Sequence, residues 1–164
     1  MPATYPFHAI RYADGPDQSS LVAPPYDVLS TAHRSALLAR DPRNIVAIDL
    51  PHTPAKELGP PDAYARAAAR LEELLSDGTL VRSDSPVMFA YRQTFDGGPR
   101  SPRLQRTGMA CTVETRPFGP APDGSGGILP HEETFSGPKL DRLALMRATQ
   151  TQLSPIFGLH ADEH

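Results

Sequence analysis

The 164-residue chain sets 16 Lys and Arg against 19 Asp and Glu, a net charge of -3, with 39% apolar and 21% charged residues. That balance suits a globular chain with one core of ordinary size, a single domain over 1–164, and lacks the basic excess behind counterion-release affinity, which disfavours nucleic acid as a partner. No stretch approaches the roughly 20 apolar residues that span a bilayer, the start lacks a charged segment leading into an apolar one, and the lone Cys111 cannot form an internal disulfide. These features predict a cytoplasmic protein with no membrane partner, in which Cys111 is a small buried apolar residue.

The 19 prolines punctuate the chain and mark its boundaries. In "APPYDV" two of them pin the backbone, so Tyr26 and Asp27 project from a rigid turn. "STAHRSALLARD" predicts a helix with Ser30 as N-cap, stopped at Asp41 because Pro42 disfavours helical geometry in the residue before it. "NIVAIDL", Asn44 to Leu50, is rich in β-branched residues and predicts a buried strand.

The clearest helix lies in "PPDAYARAAARLEELLSDG". Asp62 is placed to cap it, Tyr64, Ala67, Ala68, Leu71, Leu74 and Leu75 share one face, and Gly78 supplies the left-handed terminator. "TLVRS", "PVMFAYRQTF" and "QRTGMACTVETRPF" then predict strands in an antiparallel pair or small meander, with the helix packed on the sheet containing Val87 to Phe95. A glycine- and proline-rich loop follows at 119–127. A helix from about Lys139 to about Gln152 sets Leu140, Leu143, Met146 and Ala148 near one side, and "SPIFGLH" reads as a last strand. Strands and helices do not alternate strictly, which predicts an α+β fold with a mixed, largely antiparallel sheet and packed helices.

Candidate chemistry concentrates around "ILPHEETF" and "KLDR". "HEETF" begins like the zinc-protease HExxH, but the second histidine that would share the metal is replaced by Phe135, so no metal site is expected. "DGSGG" lacks the Gly-Lys-Ser/Thr ending of a phosphate loop and reads as a linker. Lys139, Asp141 and Arg142 open a helix, where charged residues commonly form a solvated face.

"PF" at Pro6 and Phe7, "APPYDVLS", "NIVAIDLP", "AARLEELLSDGTL", "FAYRQTF", "RTG", "ILPHEETF", "DRLALMRAT" and "SPIFGLH" occur in an order that resembles the bacterial and archaeal family catalogued as domain of unknown function 1015, over essentially the whole chain. Family members are typically more than twice as long, so the resemblance implies the amino-terminal portion of a larger fold. Their later half carries an Asp-Gly-His-His-Arg sequence similar to the active-site signature of free-serine kinases in the ParB/sulfiredoxin-like superfamily. This chain has no such sequence. It does have Pro130-His131-Glu132, similar to the kinases' Pro-His-Glu stretch.

By that resemblance Glu132 is the candidate base for a substrate hydroxyl. His131, Thr134, Lys139, Asp141, Arg142, Tyr26 and Asp27 are candidates for substrate or phosphate contacts, and ATP or ADP with Mg²⁺ is the implied donor. Asp141 would either orient Arg142 or help to place Mg²⁺. The implied activity is phosphoryl transfer to a small hydroxylated metabolite such as free serine, incomplete in this chain alone. The alternative is a non-catalytic interaction or nucleotide-binding domain that pairs with a second copy or a complementary chain, in which His131 and Glu132 merely cap the oncoming helix and pair with Arg142.

Overall fold

A computed structural model describes residues 2–15, 17–98, 102–120, 124, 126–131, 133 and 135–159. The chain divides into two compact units, Met1–Arg11 with Val81–Glu133 and Tyr12–Leu80 with Thr134–His164. Helices and short antiparallel ladders together make the α+β class. No described helix is long and apolar enough to cross a membrane.

The second unit holds a 3-10 turn over Tyr26–Val28 and four helices: α1 (Thr31–Arg40), α2 (Val46–Asp49), α3 (Pro61–Ser76) and α4 (Ser136–Thr149). α1 begins as expected, with Ser30 Oγ accepting the His33 N–H at 3.2 Å, and ends at Asp41 before Pro42. Asp41 turns the chain by accepting the Arg43 backbone N–H and guanidinium and the Ser20 hydroxyl.

"NIVAIDL" is a short helix rather than the expected strand. Asn44 Oδ1 accepts the Val46 N–H at 2.9 Å, while its amide donates to the carbonyls of Ser20 and Val22. A buried asparagine that satisfies both a helical turn and a neighbouring segment overrides the β preference of its Ile and Val neighbours. Val46, Ile48 and Leu50 are buried all the same.

α3 starts on Pro60 as cap with Pro61 at its first position, so Asp62 lies inside the first turn and pairs with Arg66 rather than capping. Its buried side is Ala63, Tyr64, Ala67, Leu71 and Leu74, with Ala68 and Leu75 at the margin. This face packs on α2 and α4, where a sheet containing Val87 to Phe95 was expected. Gly78, at φ 78°, ends the helix as anticipated.

α4 starts three residues before Lys139, because a proline in the first turn gives up only an N–H that has no helical partner. It stops at Thr149, where Gln150 turns left-handed at φ 50°. Its buried side is Asp141, Leu145 and Thr149, one turn apart each, whereas the expected core residues Leu140, Leu143 and Met146 are exposed. Ser154 to Leu159 forms no strand. Pro155 has no N–H to give a ladder, and Ile156, Phe157 and Leu159 face solvent.

Short strands make up the remainder: β1 (Thr4–Tyr5), β2 (Ile10–Tyr12), β3 (Leu80–Arg82), β4 (Phe89–Asp96), β5 (Arg103–Ala110), β6 (Thr112–Val113), β7 (Gly119–Pro120) and β8 (Gly127–Ile128). They form four two-stranded ladders, β1 with β6, β2 with β3, β4 with β5 and β7 with β8. The longest is the antiparallel β4–β5 hairpin, in register from Phe89 opposite Ala110 to Asp96 opposite Arg103. The loop expected at 119–127 has ends that pair as β7 and β8. Cys111 is free and only partly buried, more open than the buried position expected of it.

Candidate functional site

The most concentrated chemistry in the second unit surrounds Asp141. α4 turns this side chain inward in register with Leu145, and its carboxylate is fully buried. A buried carboxylate needs a donor for each acceptor position, and Asp141 has four. Oδ1 accepts from His52 Nε2 at 2.7 Å and from the Tyr64 hydroxyl at 2.7 Å. Oδ2 accepts from Arg142 Nε at 2.9 Å and Nη2 at 2.6 Å. Burial pushes the Asp141 carboxyl up, but the donors from Tyr64, His52 and Arg142 outweigh it and hold its pKa below the usual value.

Each donor is itself fixed. Tyr64, in the first turns of α3, also accepts the Gly59 N–H at 2.7 Å, and its ring meets His52 edge-on at 5.7 Å. Burial, then the bond to Asp141, raises the Tyr64 pKa to about 12, so it stays a donor. A Cβ at Gly59 would fall 2.2 Å from the His52 ring, so only glycine lets the imidazole lie where it does. At Gly137 a Cβ would come within 2.7 Å of the Lys56 carbonyl, which requires glycine where α4 meets the same loop.

Arg142 links this centre to the last residue of α2. Nη1 donates to the Asp49 carbonyl at 2.7 Å and to Asp49 Oδ1 at 3.1 Å, and the guanidinium lies over the Tyr26 ring at 4.0 Å. Ser154 also donates to Asp49 Oδ1. Burial raises the Asp49 pKa, with Arg142 opposing it. Two carboxylates thus share one guanidinium.

Of the residues singled out in the sequence, Tyr26, Asp141 and Arg142 come together here. Asp27 is exposed on the 3-10 turn, Lys139 is exposed in the first turn of α4, and His131 is exposed in the other unit. Glu132 and Thr134 lie outside the described residues. The cap of α4 is Phe135, with no side-chain bond, so His131 does not cap it. Among the described residues no three His, Cys, Asp or Glu side chains converge as a metal site.

Asp49, His52 and Tyr64 were missed. His52 stands in "LPHTP", a histidine enclosed by prolines, and that rigid setting was the available signal. Tyr64 stands on an apolar face in the sequence, which hides the role of its hydroxyl. No curated protein and no solved structure matches the chain. Residues 4–164 match the family described as Protein of unknown function (DUF1015), and by that match over nearly its whole length the chain belongs to this family.

Proposed function

We propose that the chain is part of a nucleotide-dependent phosphotransferase acting on a small hydroxylated metabolite such as free serine, with Glu132 as base and ATP or ADP with Mg²⁺ as donor. The observation that supports this reading is the convergence of Tyr26 on the Asp141–Arg142 pair. Two segments set apart in the sequence, "APPYDV" and "KLDR", share one buried network, and a network of that kind is the rigid support a site needs.

Within this reading Asp141 is a positioning residue, because its acceptor positions are already filled by protein donors. Mg²⁺ then travels on the nucleotide phosphates and water, its usual mode, and Lys139, exposed in the first turn of α4, is the candidate cation for phosphate. This reading requires an Asp-Gly-His-His-Arg element supplied by another segment or a partner chain, because these 164 residues contain none.

Titration of the chain with Mg-ATP and Mg-ADP tests the binding step. In the protein joined to its complementary segment, Glu132→Gln should lower turnover by roughly 10²–10⁴-fold and leave nucleotide affinity nearly unchanged. Lys139→Ala should weaken affinity and rate together. Normal turnover by Glu132→Gln rejects the assignment of the base.

A second reading, a non-catalytic domain that pairs with another chain, is favoured by the β4–β5 hairpin. Phe89, Tyr91 and Phe95 alternate onto one face, Leu104 stands opposite Phe95 on that face, and all four are exposed. A two-stranded hairpin with an open apolar face gains stability when something covers it. Absence of nucleotide binding together with concentration-dependent association in sedimentation would favour this reading.

A further inference from the structure

On the second unit, Arg34 of α1 is partly buried and spends only its Nε, which donates to the Leu50 carbonyl at 2.7 Å. No hydrogen bond or ion pair uses its Nη1 and Nη2 groups among the described residues, so four N–H donors of a planar fork are uncommitted. Arginine does not escape this by losing its proton, since its guanidinium remains charged at any ordinary pH. A partly desolvated cation with an open fork lacks its counter-charge.

Among the described residues, the surroundings supply further donors and no carboxylate paired with Arg34. Thr31, three residues before Arg34 on the same helical face, donates its hydroxyl to Thr53 Oγ1 at 3.2 Å. One hydroxyl proton is consumed in that bond and the other is free to donate outward. Burial and then the nearby guanidinium of Arg66 both lower the Arg34 pKa, which means that a second positive charge acts on the same place. Asp62, the carboxylate nearest in sequence to Arg66, is already paired with it. Asp62 is thus committed to Arg66, and among the described residues no ion pair joins it to Arg34.

We infer that Arg34, with the Thr31 and Thr53 hydroxyls beside it, binds a small oxyanion, a phosphate or a carboxylate group. A fork of parallel N–H groups matches two oxygens of either anion, and charge-assisted bonds of this kind are about twice as strong as neutral ones. The Leu50 bond fixes the plane of the fork in advance, so little side-chain freedom remains to be lost on binding. The site uses neither Glu132 nor Asp141, and it stands whether or not the chain takes part in phosphoryl transfer. It does share the Asp49 to Thr53 segment with the Asp141 network: Arg142 holds the Asp49 carbonyl, Arg34 the Leu50 carbonyl, and His52 reaches Asp141 from between.

Calorimetric titration of the full chain with inorganic phosphate, and separately with acetate, at constant ionic strength tests the site. Saturable binding of one or both is expected, phosphate preference marking a phosphate site and acetate preference a carboxylate site. Arg34→Gln should weaken the preferred anion by roughly tenfold or more, and Arg66→Gln by a few-fold through lost charge. Thr53→Val leaves the Arg34–Leu50 bond intact and removes only a hydroxyl, so it reads the site even where Arg34→Gln loses its fold. It too should weaken binding by a few-fold. No saturable binding of either anion to the folded wild-type chain, or unchanged affinity in the folded variants, overturns the inference.

Discussion

The Tyr64 hydroxyl donates to Asp141 Oδ1 at 2.7 Å across a separation of 77 residues, and so ties the start of α3 to the start of α4. Tyr64→Phe removes one of four donors to a buried carboxylate and also leaves the Gly59 N–H without its acceptor. We expect a loss of about 1–3 kcal/mol in urea unfolding, the usual cost of unsatisfied buried polar groups. The Asp141 pKa should rise at the same time, which a carboxyl titration by NMR would show; an unchanged pKa would mean that the hydroxyl bond is not made.

Asp141→Asn tests the network as a whole. It keeps the shape of the side chain but removes the charge that holds Arg142 and offers one acceptor where two carboxylate oxygens stood. Breaking a buried ion pair costs about 3–5 kcal/mol, and the lower end applies here because Asp49 still faces Arg142. Denaturant midpoints with unchanged slopes would measure it. Equal stability of Asp141→Asn and wild type would show that the pair contributes nothing net.

Two leucines on α4 separate the observed face from the one expected by periodicity. Leu145 is 2% exposed and Leu143 is 38% exposed. Leu145→Ala should therefore cost about 2–5 kcal/mol and Leu143→Ala less than about 1 kcal/mol. The reverse order would place α4 with its other side inward. Leu74→Ala, at a fully buried position of α3, belongs with Leu145→Ala.

The acid limb of stability has a definite sign. Asp41 is held down to about 2 from its ordinary 3.8, first by the hydrogen bonds from Arg43 and then by Ser20. A depressed carboxyl contributes stability that is present above the ordinary value and lost as pH falls through the folded one. Asp141, also depressed, acts in the same direction. Stability should then fall between about pH 4 and about pH 2, and Asp41→Asn should flatten that fall.

Asp49 acts oppositely. Burial raises its pKa, so its contribution is present below the ordinary carboxylate value and fades as pH rises through the raised one. Urea midpoints across both ranges should show Asp49→Asn losing the decline on the higher-pH side only. Retention of that decline in Asp49→Asn would assign it to another group.

By itself the sequence determined the local features whose cause lies within a few residues. Ser30 caps α1 through a side chain three residues from its partner, Pro42 stops it, Gly78 ends α3, and the alternating aromatics Phe89, Tyr91 and Phe95 mark β4 as a strand that the turn-rich segment after it lets pair with β5. The tertiary structure decided what depends on distant partners. Asn44 makes a helical turn of a β-rich segment by satisfying carbonyls more than twenty residues earlier. Asp141 turns inward, against the hydrophobic periodicity of α4, because His52 and Tyr64 stand ready to donate to it. Periodicity counts apolar residues and is blind to a buried charge whose cost is offset by donors from elsewhere in the chain. For the same reason "KLDR" reads in sequence as a solvated turn, whereas in the fold two of its four residues form the centre of the most highly connected polar network described.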